Sequence, residues 1–67
     1  MKIDVKKLEM ALANAGINFS QVAERADISA QTLNNARKGK SVRPYVIGNI
    51  AFALGVETSE IIEKDDE

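Results

Sequence analysis

FSQVAERADISAQTLNNARKGK, residues 19–40, is the stretch whose reading decides the fold. Val22, Ala23 and Ala26 mark one short helix, Leu33 and Ala36 mark another, and Asp27-Ile28-Ser29 separates them. Ala23 precedes Asp27 by four residues and Leu33 follows it by six, which is the spacing of a helix-turn-helix. A small residue at 23 lets the two axes approach closely, and Leu33 plugs the second helix onto the first. The turn calls for a residue with positive φ, usually Gly; Asp tolerates that region at modest cost, so Asp27 fits. Ser29 is placed to cap the second helix, its hydroxyl accepting a backbone N–H of the first turn.

Upstream, Asp4 caps a first helix, and Ile3 is placed to staple onto Leu8. Val5, Leu8, Leu12 and Ala15 recur at helical spacing with Ala11 alongside. Gly16 ends that helix with a left-handed residue, Ile17 returns to Leu12, and Asn18 caps the next helix, from about Phe19 to Ala26. Downstream, Gly39 stops the third helix, and Lys40-Ser41-Val42-Arg43 forms a basic loop. Pro44 suits the first turn of a fourth helix, since its missing N–H is not needed there. That helix carries Ile47, Ile50, Ala51 and Leu54 on one face and ends at Gly55; Gly48 weakens it slightly. Glu57 or Thr58 starts a short fifth helix bearing Ile61, assigned to the core, and Ile62. No stretch alternates with period two over strand length, so no sheet is predicted. The expectation is one all-α domain over residues 1–63, a compact bundle of five short helices, followed by an acidic flexible tail at 64–67.

Composition bounds what such a domain can do. A chain of 67 residues buries only about 60% of the surface its unfolded form exposes, so its stability margin is small. It has no Cys and no His, which removes disulfides, thiolate metal sites and the commonest general base. The carboxylates at 60, 63 and 65–67 have no His partner and sit at an exposed end, so they read as solvated. Neither catalysis, a metal nor a cofactor is expected. No apolar run approaches a membrane span and no signal-peptide core opens the chain, which points to the cytoplasm. The net charge of −1 conceals an asymmetry: residues 1–56 carry eight basic and four acidic side chains, residues 57–67 one basic and six acidic.

In order and spacing, these features resemble the phage repressor and Cro family of DNA-binding domains, the XRE-type group. The resemblance runs from about Val5 to Ile62 and rests on Gly16-Ile17-Asn18, Val22-Ala23-Glu24, Ala26-Asp27-Ile28-Ser29, Thr32-Leu33, Lys38-Gly39-Lys40, Arg43-Pro44 and Ala53-Leu54-Gly55-Val56. It implies a lambda-repressor-like bundle in which helices 2 and 3 form the helix-turn-helix and helix 3 reads the major groove of double-stranded DNA. Gln31 and Asn35 stand where relatives read bases, with Ala30 and Asn34 as second choices. By chemistry alone, Gln and Asn fit either an adenine edge or a plain solvated face. Phosphate contacts are expected from Asn18, Ser29, Thr32, Lys38, Lys40, Ser41, Arg43 and Tyr45; for Arg43 the alternative is a surface salt bridge.

Four positions depart from the family pattern. Phe19 stands where relatives carry a phosphate-holding Gln. Leu12 and Arg37 stand where many carry a paired Arg and Glu, which leaves Arg37 free to point to solvent or phosphate. Ala36 is smaller than the usual residue.

A half-site of a few base pairs suggests a homodimer on a palindromic operator, with Phe52, Thr58 and Ile62 as interface candidates; packing of both Ile61 and Ile62 inside the bundle is the alternative. The resemblance implies a transcriptional regulator, most simply a repressor or Cro-like protein of a phage or mobile element that occludes a promoter. A second reading on the same fold is an antitoxin-like module whose acidic C-terminal surface meets a protein partner.

Overall fold

Local signals set the helix ends where the sequence places them. The computed structural model describes residues 1–63. Helix α1 spans Val5–Ala15, α2 Phe19–Ala26, α3 Ala30–Arg37 and α4 Pro44–Leu54. The expected tail at 64–67 lies outside the described residues. Asp4 accepts the Lys7 N–H at 3.2 Å and so caps α1. Asn18 and Gln21 form a reciprocal box at the start of α2, each side-chain oxygen accepting the other's backbone N–H at 2.9 Å. Ser29 accepts the Thr32 N–H at 3.1 Å and opens α3.

The turn of the motif forms as its chemistry requires. Asp27 takes φ +58°, the one non-glycine residue with positive φ among the described residues. That conformation lets the Ile28 N–H reach back to the Ala23 carbonyl at 3.0 Å and closes α2 before α3 begins.

Packing then follows from the apolar faces. Leu8, Ala11, Leu12, Val22, Ala26, Leu33, Ala36, Val46, Ile47, Ile50, Ala51 and Leu54 are buried together, with Ile3 and Ile61 completing the cluster. The most extensive helix–helix contact joins α2 to α4, and α1 also lies on α4. Val46 enters the core although the sequence periodicity did not single it out. Val5 is only half-buried and Ala15 is exposed. The two lie at opposite ends of α1, and Ile3 fills the core place at the N-terminal end.

The expected fifth helix is instead a single 3₁₀ turn, Thr58–Glu60. The backbone groups that a longer helix would use are spent on the N-terminal segment. The Ile61 carbonyl accepts the Asp4 N–H at 2.9 Å, and the Glu63 N–H donates to the Lys2 carbonyl at 3.1 Å. An antiparallel bridge between Ile3 and Ile62 lies between those bonds, a pairing that the all-helical reading did not include. Ile61 is fully buried, as assigned, and Ile62 is half-buried against the core. Among the described residues, no helix is long and apolar enough to cross a membrane.

Gly48 sits inside α4, and a Cβ added there would meet nothing within 4 Å. Gly48→Ala should therefore stabilise the domain by about 0.5–1 kcal/mol, by removing backbone freedom from the unfolded chain. The thermal midpoint should rise by several degrees, since about 1 kcal/mol moves a domain of this size by roughly 4–8 °C. A fall in the midpoint would refute it.

Candidate nucleic-acid interface

The core-facing side of α3 is set by Leu33 and Ala36, both buried. At 100° per residue, the opposite side is centred on Gln31 and Lys38, with Asn34 and Asn35 flanking them. Gln31, Asn34 and Lys38 are exposed; Asn35 is half-buried. Ala30 is exposed at the first helical position. The sequence-predicted base readers therefore share one polar face, with Gln31 the more outward of the two leading residues.

The polar groups around that face are partly committed. The Asn18 carboxamide oxygen serves its cap, which leaves the NH₂ group as the part able to donate to a phosphate. The Ser29 and Thr32 hydroxyls are 2.9 Å apart and share one hydrogen bond. Two hydroxyl hydrogens are present and one lies between the oxygens, so the pair retains one donor for an external acceptor.

After α3 the chain turns through Gly39 at φ +82°, with the Lys40 N–H donating to the Asn35 carbonyl at 3.1 Å. Lys38, Lys40, Ser41 and Arg43 follow in quick succession and all are exposed. Lys38 is the C-cap of α3, where a cation also suits the negative end of the helix dipole. Arg43 is the N-cap of α4 and makes no side-chain cap bond, so its guanidinium is not needed to hold that helix.

The N-terminal segment holds this loop, a role the sequence reading missed. The Met1 ammonium donates to the Ser41 hydroxyl at 3.2 Å and to the Val42 carbonyl at 3.1 Å. The Val42 N–H returns a bond to the Met1 carbonyl at 2.7 Å. No local pattern announces a pairing across forty residues.

A second missed feature concerns Arg37, which is exposed: its guanidinium lies over the Phe19 ring, 3.8 Å from the centroid. Two of the departures from the family pattern thus meet, and a third, Leu12, is buried in the core.

Tyr45 and Phe52 stand on one face of α4, 62% and 86% exposed. Thr58 is exposed on the 3₁₀ turn. Ile62 lies elsewhere, lining a cleft with Met1, Lys2, Ser41 and Glu63. Among the described residues, no three His, Cys, Asp or Glu side chains gather in a way that could hold a metal ion.

A family model described as "Cro/C1-type HTH DNA-binding domain" matches residues 7–67. A search of curated proteins finds no match. Among solved structures, one titled "Native PhpD with Cadmium Atoms" superposes with a TM-score of 0.82 at 24% identity. The match covers all of this chain and 15% of that one, so the likeness is one of fold with a small part of a much larger protein.

Proposed function

The chain belongs to the Cro/C1-type helix-turn-helix DNA-binding domains, and from that premise we propose that it is a sequence-specific transcriptional regulator acting in the cytoplasm, a repressor or Cro-like protein of a phage or mobile element. One observation carries the reading: α3 presents Gln31, Asn34 and Lys38 to solvent on a single face, and the exposed cations Lys40 and Arg43 follow in the next loop. Gln31 and Asn35 read base edges in the major groove, with Ala30 and Asn34 adjoining them. Asn18, Ser29, Thr32, Lys38, Lys40, Ser41, Arg43 and Tyr45 hold the phosphates on either side and fix the register. Two copies on a palindromic operator, meeting through Phe52 and Thr58, block a promoter by occupying it, with Ile62 turned instead to the N-terminal segment.

Selection of bound sites from random duplex DNA, at one stated salt concentration, tests this. A palindromic site should be enriched. Gln31→Ala and Asn35→Ala should each relax particular positions within both half-sites, since a bidentate pair is worth about 1–3 kcal/mol of discrimination. Gln31 is exposed, Asn35 is half-buried, and neither side chain makes a hydrogen bond within the described residues, so the variants should fold as the parent does. Absence of any enriched sequence would sink the proposal.

The antitoxin-like reading draws on a different surface. Phe52 is 86% exposed, and Glu57, Glu60 and Glu63 form an exposed acidic end beyond it. A partner whose binding depends on those glutamates and ignores Gln31 and Asn35 would favour that reading.

A further inference from the structure

Arg37 belongs to the last turn of α3 and Phe19 is the first residue of α2, so their contact marks the seam where the two motif helices meet. Both line a cleft of about 120 Å³, shared with Ser20, Ala30 and Asn34. On its other side Arg37 borders a cleft of about 420 Å³ with Asn34, Lys38 and the α1 residues Val5 and Glu9. The guanidinium therefore stands beside two residues of the face proposed to meet DNA.

The geometry of the contact matters more than its strength. The ring holds the flat face of the guanidinium through its quadrupole. The five N–H donors lie in the guanidinium plane, so stacking leaves them unspent. A planar fork with its orientation already set matches two oxygens of a phosphate, and little side-chain freedom remains to be lost on binding. Phe19 has no polar side-chain atom, so its side chain can act on an anion only through what it positions.

We infer that Arg37 is a phosphate-contacting residue of the DNA interface and that Phe19 is the positioning residue which aims it. The inference rests on the DNA-binding reading above. The ligand is a backbone phosphate of duplex DNA, so the contact adds affinity and no base preference.

The test uses the full chain, a duplex recovered by the selection and an unrelated duplex of equal length, each titrated between 50 and 200 mM salt. Arg37→Ala should weaken binding to both duplexes by the same factor, roughly tenfold near 0.1 M salt. It should reduce the slope of log K against log salt by about 0.9, the share of one phosphate. Arg37→Lys should keep that slope and recover only part of the affinity, because an ammonium cannot stack or fork. Phe19→Leu should cost a few-fold in the parent and nothing further in the Arg37→Ala background. Thermal midpoints of the Arg37 variants should stay within a few degrees of the parent, which separates a lost contact from a lost fold.

If Arg37→Ala changes neither slope nor affinity while Gln31→Ala still relaxes base preference, the DNA reading survives and this inference is overturned. Additive effects of Phe19→Leu and Arg37→Ala would overturn the positioning role. A parent chain that enriches no site, and binds no duplex in a salt-sensitive way, removes the function and the inference together.

Discussion

Ile47→Ala is expected to cost about 2–5 kcal/mol, a large part of the stability of the domain. At roughly 0.05–0.15 kcal/mol per residue, a chain of 67 residues has about 3–10 kcal/mol to lose. Ile47 has no exposed surface and lies on α4, the helix against which both α1 and α2 pack. Truncation removes the transfer free energy of three carbons and leaves a cavity that helices converging on one element cannot close by a local shift. Urea unfolding followed by helical circular dichroism should show the midpoint falling by roughly 2–5 M with little change in the m-value of about 1 kcal/mol/M. The same truncation at Phe52, on the same helix but 86% exposed, should stay within about 0.5 kcal/mol of the parent. Equal effects at the two positions would mean that α4 does not occupy the centre of the bundle.

What could be read from the sequence follows from how far apart the deciding residues lie. Caps at Asp4, Asn18 and Ser29, and the left-handed stop at Asp27, depend on atoms within about four residues, and all four form as expected. The polar face of α3 follows from Leu33 and Ala36 alone, because a helix has one period. The Ile3–Ile62 bridge and the Met1–Ser41 contact carry no such signal. They join segments that meet only once the bundle exists, and the first of them turns an expected helix into a 3₁₀ turn. Arg37 and Phe19 were each visible as departures, but their meeting depends on how the end of α3 lies against the start of α2. Val46 was missed because α4 is apolar on more than one side: Val46, Ile47, Ile50, Ala51 and Leu54 are all buried, while Tyr45 and Phe52 are not.

Replacing Lys38, Lys40 and Arg43 together by Ala should lower affinity for any duplex by about 10²–10³-fold at 0.1 M salt. Each phosphate neutralised releases counterions worth about 0.9 in the slope of log K against log salt, so three contacts account for about 2.7. Extrapolated to 1 M salt the difference between parent and variant should nearly vanish, because the counterion term vanishes there. All three side chains are exposed and none makes a cap or buried contact that holds the fold; the thermal midpoint should therefore change little. The charge balance makes the effect severe. Residues 1–56 hold eight basic side chains against four acidic ones, and the remaining residues are strongly acidic. Removing three cations leaves the motif with almost no net attraction for a polyanion, while the acidic end still repels it within a Debye length of about 8–10 Å. Base preference, measured as the ratio of selected to unrelated duplex affinity, should survive, since phosphate contacts carry no sequence information. A slope that stays at the parent value would show that these cations do not face the backbone. A ratio that collapses along with the affinity would show instead that the loop takes part in reading the bases.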